Sequence, residues 1–186
     1  GRLDEALEHY RKAQQSDPGS AALRTEVARL LREAGQTTQA LAEAREAVRL
    51  DRDSLEAQEF LAEVLRLEAM RGGGAAAALE AAAALEEVLR LRPGDDQVTR
   101  ALAEIYRQAG RPGDAARVWE KQVQAEPRDV DALLQLGLHY FAQGQSDRAQ
   151  ATLQKALEVD PTFLGVNTAP AEIYEEADQS EQAVLH

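Results

Sequence analysis

No cysteine occurs in the 186 residues, so neither a disulfide framework nor a thiolate metal site can form, and the redox compartment leaves no signature. Aromatic residues are scarce, with one Trp, four Tyr and three Phe, so a core has to be assembled mainly from Leu, Ala and Val. Positive charge is the minority sign: 21 Lys and Arg stand against 33 Asp and Glu, a formal charge of −12. That balance favours solubility and opposes a general affinity for nucleic acid or anionic lipid. Long apolar runs are missing as well. The richest is interrupted by Glu80 and Glu86, well short of the roughly 18 to 20 residues that span a bilayer. Neither nucleic-acid binding nor membrane insertion is expected. Nothing resembling a signal opens the chain, which starts at Gly1 without an initiator Met. It is expected to be an excerpt of a longer protein, its compartment unassigned with the cytoplasm favoured.

Reactive groups are equally thin. His9, His139 and His186 are the only histidines, and their positions offer neither ligand spacing nor a triad. The run Gly72 to Gly74 lacks the preceding strand and the following Lys of a phosphate-cradling loop. Carboxylates are spread as on solvated helix faces, where Glu and Arg three or four residues apart stabilise the helix modestly. No enzyme, cofactor or metal is expected.

What the chain has instead is a period. Residues 131–161 read DALLQLGLHYFAQGQSDRAQATLQKALEVDP. Leu133, Leu136, Gly137 and Tyr140 fall on one helical stripe, and Ala149, Leu153 and Ala156 fall on a second. Each stripe is too small to make a core alone. Together they predict an antiparallel helix pair, with Gly144 in the left-handed conformation ending the first helix and Pro161 stopping the second. The pattern recurs: Pro93, Pro127 and Pro161 are 34 residues apart, as are Gly110 and Gly144. That interval belongs to solenoids of helical hairpins.

At these positions the chain resembles the tetratricopeptide repeat (TPR) family. A small residue stands at the eighth position of each unit, as Ala28, Ala62, Ala103, Gly137 and Ala171, and alanine at the twentieth, as Ala6, Ala40, Ala81, Ala115, Ala149 and Ala183. Bulky partners align at position eleven (Leu31, Leu65, Tyr106, Tyr140, Tyr174) and at twenty-four (Tyr10, Leu85, Trp119, Leu153). The small residues mark where two helices approach most closely. The resemblance covers essentially the whole chain and implies an all-α, right-handed α-solenoid of stacked antiparallel helix pairs, a single array over residues 1–186.

The expected units are residues 1–20, the second helix of a truncated repeat, then repeats at 21–54, 55–95, 96–129 and 130–163, and a partial one at 164–186. The helix over Leu3 to Gln15 lacks its partner, so one apolar edge should be exposed or borrowed by a neighbour. Arg52 stands where the family usually has Pro. Residues 55–95 are longer than the other units, and the excess surrounds Gly72, Gly73 and Gly74; lengthening each helix by about one turn would put the glycines at the tip. This protrusion is either a tolerated insertion or a contact feature for a partner. Gln122 replaces the usual small residue at position twenty-seven, where Val123 is expected to take up the packing. Pro170 predicts a late start for the last first helix.

Positions five, nine and twelve of each first helix form another stripe, turned away from the core. The resemblance implies that this stripe lines a concave peptide-binding groove. It reads Thr25, Arg29 and Arg32; Glu59, Glu63 and Arg66; Arg100, Glu104 and Arg107; and Leu134, Leu138 and Phe141. Two readings of its charges stand side by side. Arg32, Arg66 and Arg107 form a row able to grip carboxylates, or the arginines are neutralised by Glu59, Glu63 and Glu104 in a surface network. Leu134, Leu138 and Phe141 are expected to form an apolar contact patch. The Lys, Asn, Asn, Lys, Arg pattern with which co-chaperones of the family hold chaperone tails is replaced by Thr25, Arg29, Glu63, Arg100 and Glu104, so chaperone-tail binding is not expected. The reading is a non-catalytic module that binds a peptide or partner protein. The alternative is a structural scaffold, self-associating through its incomplete terminal repeats.

Overall fold

Each described first helix is launched by a short polar side chain at the same repeat position. Ser20 Oγ accepts from Leu23 N at 3.3 Å and Ser54 Oγ from Ala57 N at 3.3 Å; Asp95 Oδ1 accepts from Val98 N at 3.0 Å and Asp129 Oδ1 from Ala132 N at 2.9 Å. Each bond satisfies a backbone donor that the first turn would otherwise leave unpaired. In the computed structural model, which describes residues 1–162, the helices so started are α2 (Ala21–Glu33), α4 (Leu55–Glu68), α6 (Asp96–Gln108) and α8 (Val130–Ala142). The second helices are α1 (Arg2–Ser16), α3 (Thr37–Leu50), α5 (Gly74–Leu91), α7 (Pro112–Ala125) and α9 (Ser146–Val159). No strand occurs among the described residues.

The turns inside the pairs follow one rule. Gly35 and Gly144 take φ of +75° and +69°. Gln36 N then bonds back to Leu31 O at 2.8 Å, and Gln145 N to Tyr140 O at 2.9 Å. This is the six-to-one closure that satisfies the last carbonyls of a helix and requires a left-handed residue.

The described chain divides into two compact units, the second beginning at Gly110. In the first, α1 lies against α2, with Leu7, Val27, Leu31 and Ala40 forming a buried cluster flanked by Tyr10 and Leu30. The apolar edge expected of α1 is not open: Leu7 is buried, Leu3 and Tyr10 are half-buried, and Met70 is the one large apolar side chain exposed among the described residues. The α4–α5 pair carries the insertion. Its first helix is extended by a π-helical turn over Ala69–Gly73, with Gly72 at φ +113°. Its second helix has 18 residues against the 14 of α3. The extra length is thus a widened turn on one side and about one regular turn on the other.

In the second unit, α8 and α9 pack face to face, and α7 lies against α8. A Cβ added to Gly137 would sit 2.7 Å from Leu153 Cδ2 and 2.8 Å from its Cγ, although the same repeat position holds Ala28 and Ala62 in the first unit. Gln122 is itself buried, and its amide donates to Asp129 Oδ2 at 3.1 Å while Val123 stays half-buried. The packing expected of Val123 is therefore done by Gln122, whose polarity is met by the next helix's cap.

A tyrosine clamp ties neighbouring helices of adjacent pairs. Tyr106 Oη donates to Glu86 Oε1 at 2.8 Å, and Tyr140 Oη to Glu120 Oε1 at 2.6 Å, with the same spacing in sequence. At Tyr140, Arg148 Nη2 also donates to the phenol at 2.7 Å and to Glu120 Oε1 at 3.2 Å. Burial, and then the Glu120 carboxylate, push the Tyr140 phenol up to about 12, with Arg148 opposing.

This packing sets the expected response to substitution. Gly137→Ala should cost about 1 kcal/mol net, because overpacking at Leu153 outweighs the roughly 1 kcal/mol regained on removing a helical glycine. Gly144→Val should cost about 1–2 kcal/mol from conformation alone, since its Cβ would meet nothing. Urea titrations of double-mutant cycles with Leu153→Val separate the two: coupling is expected for Gly137 only. For Tyr140, a raised folded-state pKa means stability that is complete below about pH 10 and lost as the pH rises towards about 12. The stability difference from Tyr140→Phe should vanish over that window, and an unchanging difference would contradict the clamp.

Candidate partner-binding groove

The stripe at positions five, nine and twelve is not uniformly a surface. Thr25 is buried with its hydroxyl donating to Ala21 O at 3.0 Å, and Leu134 is buried at 7% exposure. Position five of α2 and α8 is therefore packing. Leu138 and Phe141 are half-buried, so the apolar patch expected from the sequence is reduced to these two side chains.

The arginines are largely engaged. Arg32 Nη1 meets Glu63 Oε1 at 2.6 Å and Arg29 Nη2 meets Glu56 Oε1 at 2.9 Å, both bonds reaching from α2 to α4. Both guanidinium groups also lie over the Phe60 ring, 5.1 and 5.5 Å from its centroid. Phe60 is buried and holds the two cations in place by stacking and quadrupole attraction. Phe60 stands at position six of its unit, outside the stripe at five, nine and twelve, and its sequence signal is an aromatic on the first helix that follows the one carrying the two arginines. On α6, Arg107 forms a two-bond fork with Glu104, at 2.7 and 2.6 Å. That carboxylate holds the Arg107 guanidinium above its ordinary value. Of the expected arginine row, two members are thus paired with carboxylates.

Arg66 differs. Among the described residues its polar contact is Met70 Sδ at 3.8 Å, one turn on along the helix, and both residues are exposed.

Helices α4, α5 and α6 enclose a cleft of about 370 Å³. Its floor is apolar, from Ala62, Leu85, Val88, Val98 and Ala101; its rim carries Glu59, Glu63, Arg66, Arg92, Asp95 and Gln97. Arg92 Nη2 bridges Glu59 at 2.6 Å and Asp95 at 2.8 Å. The structure therefore brings together Glu59, Glu63 and Arg66 from the expected stripe and adds Arg92, Asp95 and Gln97, which periodicity alone does not select. Among the described residues no group of His, Asp or Glu is arranged to hold a metal ion, and no helix is long and apolar enough to cross a membrane.

Two family models described as tetratricopeptide repeat match the chain, one over residues 1–65 and 107–163 and the other over residues 67–129. Comparison with curated proteins gives no match. Among solved structures the chain is similar to YrrB, described as a TPR protein with an unusual peptide-binding site, at 22% identity over 96% of this chain and 88% of that one, with a TM-score of 0.61. It is similar to MamA at 24% identity, covering 86% and 89% of the two chains with a TM-score of 0.58. It is also similar to a thermophilic TPR protein of Thermus thermophilus, at 21% identity over 94% and 91%, with a TM-score of 0.52. These identities speak for the fold alone. With helix pairs of this construction and a repeat model matching most of its length, the chain belongs to the tetratricopeptide repeat family.

Proposed function

We propose that this protein-interaction module holds its partner as a peptide or extended segment against the first-helix faces, rather than through its loops or its outer helices. TPR proteins bind proteins or peptides and are generally non-catalytic scaffolds, which sets the general class. The finer reading rests on the cleft between α4, α5 and α6, where an apolar floor is ringed by charged and polar side chains. That combination suits burial of a side chain with its backbone held at the rim. The solved structure of YrrB, a TPR protein with a peptide-binding site, supports the same choice of ligand. In the second unit, half-buried Leu138 and Phe141 of α8 are the corresponding contacts, and Leu134, one turn before Leu138, is buried.

Gln97 stands exposed on the cleft rim, so Gln97→Trp should cover the cleft without disturbing the core. Affinity capture by this variant and by Leu138→Asp should lose at least about tenfold of specifically bound partner, a loss of about 1.4 kcal/mol in binding, with circular dichroism and melting retained. Undiminished capture by both variants would remove the first-helix face from consideration.

A further inference from the structure

We infer that the cleft in the first unit selects a peptide segment in which an aliphatic side chain lies beside an internal Asp or Glu, and that the insertion in the α4–α5 pair exists to contact it. This rests on the groove reading above and adds to it the chemistry of the ligand.

The charge inventory of the rim carries the argument. Three carboxylates line the cleft, and each already holds a guanidinium: Glu59 and Asp95 share Arg92, and Glu63 takes Arg32. Asp95 is further committed to capping α6. A basic ligand would have to displace an existing partner to find a carboxylate. Arg92 is likewise occupied. Arg66 is the cleft cation with no carboxylate among the described residues, and a thioether sulfur is a weak acceptor. Its planar fork can take a carboxylate through two parallel hydrogen bonds, a geometry that Lys does not reproduce.

The apolar half of the ligand follows from the floor. Half-buried Val98 and Ala101 supply aliphatic surface in the same cleft as that cation, with the buried Leu85 and Val88 also in its lining, and the volume is at the low end for ligand sites, enough for a side chain rather than a whole folded element. Met70 extends this surface outward. It is the one Met in the chain, is 66% exposed, and sits on the π-helical turn created by the insertion. Its unbranched thioether adapts to varied apolar partners, and its contact with Arg66 makes it continuous with the cleft. The net charge of −12 does not forbid an acidic ligand. At physiological ionic strength charges are screened over about 8 Å, so the guanidinium within reach outweighs distant carboxylates.

The test is selection from an immobilised positional-scanning heptapeptide library, N-acetylated and C-amidated so that no terminal carboxylate takes part. The wild-type chain should enrich Asp or Glu next to Val, Leu or Ile. Selected peptides should bind about tenfold more weakly to Arg66→Glu, and about tenfold more weakly when their acid is changed to the amide, as loss of a charge-assisted pair requires. Met70→Ser should weaken the aliphatic preference. Selected peptides without an acid, or with equal affinity for Arg66→Glu, overturn the proposal. If Gln97→Trp still abolishes their binding, the groove reading survives without its acidic ligand. If Gln97→Trp is also silent, or no peptide is retained, both readings fall.

Discussion

Two helices can lie against each other only as closely as the side chains between them allow, and in this chain the spacing is set by single methyl groups. Ala28 and Ala40 between α2 and α3, and Ala149 on α9, are wholly excluded from solvent. At Gly137 even the methyl is absent, and Leu153 fills the space it would take. Close approach of this kind gains dispersion contact along the full length of a pair. It also forces short connections, which is why left-handed glycines recur at the tips. A core of Leu, Ala and Val with few aromatics suffices because no pair has to fill a wide interior.

Packing by small side chains fixes distance but says little about which pair stacks on which. Polar contacts with a matching repeat supply part of that register. Arg45 meets Glu80 through two bonds at 2.6 Å, linking α3 to α5. Arg52 and Arg90 both engage Glu87, and Arg90 also reaches Asp53. Arg90 first and then Arg52 hold the Glu87 carboxyl below its ordinary value. The arginines of these pairs are largely exposed, so solvent screening leaves each pair a small contribution. Their larger effect is to use up charge: a surface with many carboxylates and arginines presents few that are uncommitted. At the α4–α6 cleft the remainder among the described residues is the Arg66 guanidinium beside aliphatic surface.

Much of this was legible in the sequence. The spacing of Pro93, Pro127 and Pro161, the small residues around Ala28 and Gly137, and the glycines at the tips led to helix pairs, and to Gly144 as a left-handed residue. Those signals are local, because helical periodicity and turn chemistry act over a few residues. The insertion was placed, although its first side formed a π-turn rather than a regular one. Apolar preference points to Val123, but Gln122 is the buried residue because Asp129 supplies an acceptor from beyond its own helix. The partial last unit and Pro170 lie outside the described residues.

The sequence by itself determined the class of fold and the repeat, because periodicity writes both along one helix at a time. Tertiary structure decided which charges on the first-helix stripe cancel, that Thr25 and Leu134 sink into the packing, and that among the described residues Arg66 meets no carboxylate. Those outcomes depend on which side chain of the next pair comes within about 3 Å, a distance that hydrogen bonding demands and that no spacing along a single chain specifies.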